Sequence, residues 1–368
     1  MNRKVTLLYI SLACVLSLQA QTRQQMGGVY YAYPEGPSAK TGTFGTATYV
    51  MSDSLSVPQG YAPFYISHYG RHGSRWMPKD DRYVWICKHF EDESNLTPLG
   101  LQVKGMLQRV WENAKGNGGK LSKLGALQHQ GIAHRMFERY PQIFAAGNAV
   151  KARSSVADRC AKSMQAFTSE LHTLQPGLNL DVKTDSADMA WIAYVSPEVK
   201  ALENRTHVQA QVSPRRFLLQ LFKDVSKVDE PLKLMTEMHT VASSIQDVGL
   251  NFSSYPQDIE DGLNALFTDD EFRAIYDANN LRMTINNGTV ATNEDIPARS
   301  AISLWQNIEV EADRALRSVK SSATLRFGHD TALYRLLSLL FDVNVPPAGA
   351  REEASLVVLG DEMEKMDR

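Results

Sequence analysis

The sequence predicts an α/β protein with a mostly helical insertion, and three observations predict it. Short apolar runs followed by a turn and then helical periodicity occur three times, around residues 62–75, 149–171 and 324–341. Each of those turns carries arginine, histidine or aspartate, the placement of a ligand site at the carboxyl edge of a sheet. Between the second and third units, residues 195–320 show amphipathic helical patterning and few strand signals.

The chain opens with a basic start, Asn2-Arg3-Lys4, then a mostly apolar run from Val5 to Leu18, then Leu18-Gln19-Ala20, which fits a signal-peptidase site. The run is too short for a transmembrane helix. Residues 1–20 are therefore expected to be a signal peptide cleaved after Ala20. The mature chain is expected to be soluble, periplasmic or secreted, with no integral membrane segment. Cys14 follows Ser11-Leu12-Ala13, a poor lipobox, so a lipoprotein is the lesser alternative. A hydrophobic fraction of 43% and a charged fraction of 22% are ordinary for a globular enzyme. A net charge of −2 argues against a nucleic-acid binder. Cys87 and Cys160 could pair in an oxidising compartment, but two cysteines make neither a disulfide scaffold nor a zinc pattern.

Within residues 21–60, Gly27 to Pro34 reads as a short strand or an extended lead-in to the core. Ala62-Pro63-Phe64-Tyr65-Ile66 then reads as a buried strand, and it runs into Ser67-His68-Tyr69-Gly70-Arg71-His72-Gly73-Ser74-Arg75. In this loop Arg71 and Arg75 flank His72, with glycines that let the backbone turn sharply. Guanidinium groups grip phosphate oxygens in a fork, and imidazole can attack phosphorus or move a proton. Lys79 and Arg82 follow closely enough to line the rim of an anionic pocket, although exposed surface charge is the commoner explanation.

Two helix starts come next: Thr97 as N-cap with Pro98 at the first position, and Ser122 as N-cap. The glycine-rich Lys115 to Lys120 connector between them lacks the strand and the Ser/Thr of a phosphate loop, and reads as a plain loop. The helix through Gln128 to Tyr140 reads as a packing helix, with His134 or Arg135 near the substrate as the alternative. In the second unit a strand is expected to end at Arg153. Ser154 or Ser155 would cap a helix running through Val156 to Leu171, with an apolar stripe at Val156, Cys160, Met164, Phe167 and Leu171. Arg153 would thus sit beside helix amides that favour anions. Leu180 to Thr184 reads as another strand. His207 and His239, in the helical span, have no partner at metal spacing and read as structural or surface residues. The third unit, Thr324 to Leu333, again places a pair, His329-Asp330, between a strand and a helix.

Arg71-His72-Gly73-Ser74-Arg75, followed in order by Arg153 and His329-Asp330, resembles the active-site pattern of the histidine acid phosphatases, the branch containing phytases and multiple inositol polyphosphate phosphatases. The resemblance implies a phosphohistidine mechanism on a small-molecule phosphomonoester. His72 would be the nucleophile, and Arg71, Arg75 and Arg153 would bind the phosphoryl oxygens. His329 would donate a hydrogen bond as charge builds, and Asp330 would be the proton donor to the leaving oxygen. It implies no metal, no cofactor and no nucleic-acid partner. It implies an α/β three-layer sandwich with a mixed central sheet, phosphoglycerate mutase-like, and an inserted, mostly α cap. The division expected is a core over residues 21–194, a cap over 195–320 and the rest of the core over 321–368.

Three features depart from the family pattern. Proline stands one residue late, after Trp76 and Met77. His329-Asp330-Thr331 is the pattern of the broader phosphatases and phytases, whereas inositol polyphosphate phosphatases closest to the animal enzymes carry His-Ala-Glu. Members of the family continue through further core elements after this helix, so a chain ending at Arg368 is expected to be a truncated frame. Two other readings are weighed against it. A metal-dependent hydrolase built on His68, His72, His329 and Asp330 is opposed by Gly70 and Gly73, which do not favour the helix that a four-residue histidine spacing needs. A non-catalytic binder of phosphorylated ligands would need neither His72 nor Asp330.

Overall fold

The computed structural model describes residues 41–44, 47–50, 62–250, 262–318 and 321–340. Strands β1 (Thr41–Phe44) and β2 (Ala47–Val50) form an antiparallel pair. Strand β3 (Ile66–Arg71) is followed by helices α1 (Asp80–Lys88), α2 (Pro98–Ala114) and α3 (Lys123–Arg139). Next come β4 (Ala149–Ser154), α4 (Asp158–Leu174) and β5 (Asn179–Thr184). The helical stretch includes α5 (Pro197–Arg205), α6 (Pro231–Ser244), α7 (Asp269–Asn287) and α8 (Ile302–Leu316), before β6 (Ser321–Gly328) and α9 (Asp330–Leu340) close the described part. Gly27 to Pro34, the expected signal peptide over residues 1–20 and the chain beyond Leu340 lie outside the described residues.

The main sheet has the order β3-β6-β4-β5 and is parallel throughout. The mixed sheet expected from the sequence thus has no antiparallel member among the described residues. Each of these parallel strands needs a crossover before its neighbour, and helices supply it. On one face α3 and α4 bury Ala133, Met136, Met164, Phe167 and Leu171 against Val150, Ala152, Leu325 and Phe327. On the other, α8, α9 and the turn Met189–Ile192 bury Ile192, Leu304, Ile308, Leu333 and Leu336 against Tyr69. That is the three-layer α/β arrangement expected.

The local chemistry explains the helix starts. Thr97 and Ser122 each accept a hydrogen bond from the amide three residues on (Gly100, Gly125), and Pro98 occupies the first turn where it costs nothing. The Lys115 to Lys120 loop is held by Asp80, whose carboxylate accepts from the Gly116 and Gly118 amides at 2.6 and 2.8 Å. Three boundaries differ from the sequence reading. Strand pairing begins at Ile66, opposite Ala323, so Ala62 to Tyr65 is lead-in and Phe64 is exposed. Arg71 is itself the last strand residue, opposite Gly328. Strand β4 runs on to Ser154, and α4 starts at Asp158 without a side-chain cap, which leaves Val156 exposed instead of in the apolar stripe.

A separate apolar cluster joins α1 and α2 to the helical stretch: Ile86, Phe90, Val103, Leu107 and Val110 pack with Phe217, Phe222, Leu234, Met238 and Phe272. The apolar cluster of this helical unit draws on two stretches of chain, residues 77–114 and 210–276. Helix α8, within the 195–320 span, packs on the sheet. A span of helical periodicity does not reveal which apolar surface each helix covers.

Candidate active site

The loop after β3 is clamped by its neighbours. The His72 amide donates to the Gly328 carbonyl at 3.0 Å, tying the loop to the end of β6. The Gly73 amide donates to Ser163 Oγ of α4, and the Ser74 amide to Gln128 Oε1 of α3. The Ser122 amide donates to the Ser74 carbonyl at 2.8 Å. Gly73 is needed for close approach: a Cβ there would lie 2.4 Å from the Gly125 carbonyl oxygen and 2.7 Å from its Cα. Backbone cannot yield as a side chain can. Gly73→Ala is expected to cost about 1–3 kcal/mol, read as a lowered Tm together with lost activity.

His72 is 4% exposed. Its Nδ1 lies 2.9 Å from the Gly73 carbonyl oxygen, which can only accept. Nδ1 therefore carries the proton and Nε2 keeps its lone pair. Burial first, then the adjacent Arg71, drives the ring far below the ordinary histidine range, so it is neutral in mild acid. The ring of His329 stands 5.6 Å away, nearly perpendicular. Burial and then Arg159 lower His329 to about 4.

Three guanidiniums, Arg71, Arg75 and Arg159, act on these rings and on one another. Arg75 is pushed down to about 10 by burial, then by Arg71 and Arg159. Arg75 Nη1 donates to the Trp76 carbonyl at 2.8 Å, while the Nε atoms of Arg75 and Arg159 are buried with no hydrogen-bond partner among the described residues. Asp330 opposes this charge: its Oδ2 accepts from Arg71 Nε at 3.2 Å, and its Oδ1 from the Thr331 amide at 2.9 Å. Asp330 opens α9 and is partly exposed, whereas His72 is buried. The arrangement is a buried neutral imidazole ringed by cations, with a carboxyl group at its rim.

The structure thus brings Arg71, His72, Arg75, His329 and Asp330 together. The structure does not place Arg153 among them. Its guanidinium donates to the Asp181 carbonyl at 2.7 Å and carboxylate at 2.5 Å, with Asp188 at 3.7 Å. It lines a cleft of about 360 Å³ with Lys151, Trp191 and Glu311, on the α8 side of the sheet. The reason is strand alternation: Arg153 shares a face with Lys151, while Val150 and Ala152 face α3 and α4. Arg159 takes the place beside the histidines, with Nη2 3.5 Å from His329 Nδ1. A signal for it existed in the sequence. A cation in the first turn of a helix opposes the helix dipole, and such a placement asks for a reason.

The rim candidates divide. Lys79 is exposed just before α1. Arg82 is committed to Glu237 of α6, with Nε and Nη2 at 2.9 and 2.6 Å, and so ties the helical unit together. His134 pairs with Glu170 at 2.9 Å, and Arg135 is buried, in keeping with a packing helix. His68 lies against Phe167 and Phe327 in the aromatic core, and His239 against Phe267 and Phe272. Cys87 and Cys160 are both free thiols, and Cys160 Sγ donates to the Gly328 carbonyl at 3.2 Å. Among the described residues no three His, Cys, Asp or Glu side chains group to hold a metal ion, and no helix is long and apolar enough to cross a membrane.

No protein-family model matches the chain. A multiple inositol polyphosphate phosphatase 1 of Gallus gallus is 23% identical over 233 residues, covering 60% of this chain and 51% of its own. The chain thus spans about half the length of that curated relative. The multiple inositol polyphosphate phosphatase of Bifidobacterium longum, solved with inositol hexasulfate, superposes with a TM-score of 0.59 at 15% identity, covering 84% of this chain and 79% of that one. The phytase of D. castellii superposes with a TM-score of 0.58 at 13% identity, covering 89% and 71%. By fold the chain is similar to these multiple inositol polyphosphate phosphatases and phytases, and part of its sequence is similar to one of them.

Proposed function

We propose that the chain is a phosphomonoesterase that works through a phosphohistidine, with inositol polyphosphates such as phytate as the substrate class. The observation that carries this reading is a buried His72 with its Nε2 lone pair available, set among Arg71, Arg75 and Arg159 with Asp330 at the rim. The arginines neutralise the non-bridging oxygens and hold phosphorus in line with Nε2. Nε2 attacks, the ester P–O bond breaks, and Asp330, protonated, gives its proton to the leaving oxygen. Asp330 then takes a proton from water as that water attacks phosphorus, releasing phosphate and restoring His72. His329, beside the histidine, stabilises the charge that builds on a phosphoryl oxygen. The relatives support the substrate class by their names, while His329-Asp330 matches the broader phosphatases and phytases. We read the helical unit built on residues 77–114 and 210–276 as the cap over the leaving-group side, with Lys79 as a rim cation. The basic and apolar start supports export to the periplasm or medium.

The test is phosphate release from an aryl phosphate and from phytate in mild acid with EDTA present. Release that persists is expected. A folded sample that binds phosphate without turnover would make the chain a binder instead. The pH profile has a definite sign. His72 and His329 are held low, to about 4 for His329, so the nucleophile is not lost to protonation in mild acid. The rate should instead fall as pH rises and Asp330 loses the proton it must donate. A rate unchanged from about pH 4 to about pH 9 would contradict this assignment.

A further inference from the structure

The phosphate loop is held to the sheet layers by its backbone, but the Ser74 side chain turns toward the helical unit. Ser74 Oγ donates to Asp247 Oδ1 at 2.8 Å. Asp247 lies in the single turn Gln246–Val248 just after α6, and it is 7% exposed. The next residue of the loop is Arg75, whose Nη1 donates to the Trp76 carbonyl and whose Nε is one of the buried donors of the site. The geometry points to Asp247 as a positioning residue: through Ser74 it couples the helical unit to the loop and sets where Arg75 meets a phosphoryl group. The carboxylate also bears on Arg75 directly, since its charge favours the protonated guanidinium against Arg71 and Arg159.

The sequence distance makes the coupling specific. Residues 74 and 247 are brought together only if the turn after α6 seats on the loop, and the same turn packs on α3, whose Gln128 holds the Ser74 amide. A hydrogen bond to a carboxylate that is itself largely buried holds such a contact more firmly than an exposed one. Because Arg75 would contact phosphate in substrate, transition state and product alike, loss of the tether should weaken binding more than turnover.

This inference rests on the phosphomonoesterase reading, and the experiment separates the two. Wild type, Asp247→Ala, Asp247→Asn, Ser74→Ala and the double alanine variant are compared for phosphate release and for inorganic phosphate binding by calorimetry. Asp247→Ala and Ser74→Ala are each expected to raise KM and the phosphate Kd together by about tenfold, with kcat changed less. Asp247→Asn, which keeps an acceptor for Ser74, should recover most of the loss, and the double variant should be no worse than Asp247→Ala. Should Asp247→Ala not fold, Ser74→Ala and Asp247→Asn still decide the matter. Variants that bind phosphate as wild type does, or losses that multiply in the double variant, overturn the inference while the functional reading stands. A folded wild type that neither binds nor releases phosphate overturns both.

Discussion

Replacing His72 by alanine is expected to cut phosphate release by about four orders of magnitude or more while the protein still folds and binds inorganic phosphate. The expectation follows from the division of labour in the site. Binding is assigned to the guanidiniums, and bond-making to one atom, Nε2 of a ring whose other nitrogen is engaged with the Gly73 carbonyl. Burial and Arg71 keep that ring neutral. Alanine removes the proposed nucleophile and about a ring's volume, yet leaves the backbone clamps of the loop in place. Rapid quenching of wild type with labelled substrate should trap an acid-labile, alkali-stable phosphoryl group on the chain, and the His72→Ala variant should trap none. A variant retaining a tenth of wild-type release would rule out His72 as the nucleophile.

The second large effect separates two arginines six residues apart. Arg159→Ala is expected to lower kcat/KM by about a hundredfold to a thousandfold, the usual loss when one preorganised donor to a developing charge is removed. Arg159→Lys should recover only part of it, because an ammonium cannot reproduce the planar fork. Arg153→Ala should change kcat/KM by no more than a few-fold, since its guanidinium is held by Asp181 and Asp188 on the α8 side of the sheet. Its cost should appear as a lowered Tm, because Asp188 and the Asp181 carbonyl lose their partner. Steady-state kinetics and thermal unfolding on the same samples decide between them. If Arg153→Ala were the more damaging to kcat/KM, Arg153 and not Arg159 would be the third phosphate ligand.

Much of the fold was legible in the residues. Thr97, Pro98 and Ser122 mark helix starts by chemistry that acts within one turn, and the structure places caps at those positions. The three strand–turn–helix units were legible because apolar period and glycine punctuation are local as well, although pairing with β6 moved the first strand to Ile66. The mixed sheet was an expectation of the resemblance, whereas the four described strands of the main sheet run parallel. The helical unit was legible as helical but not as to its members, because Ile86 and Val103 find their partners at Phe217 and Met238, far along the chain.

By itself the sequence determined the chemistry on offer: a histidine between two arginines at one strand end, and a histidine and an aspartate at another. Those residues meet because β3 and β6 pair in register, with Arg71 opposite Gly328, so the residues that follow both strands emerge together. Only the tertiary structure decided which further arginine joins them. Along a strand, neighbouring side chains take opposite faces, and the face of Arg153 is set by which layer packs above it. Arg159 reaches the site because α4 begins four residues beyond the end of β4, a boundary set by packing rather than by a cap. The link from Ser74 to Asp247 belongs to the same class. A contact between residues so distant in sequence arises from how the helical unit seats on the sheet layers, and no local pattern encodes that seating.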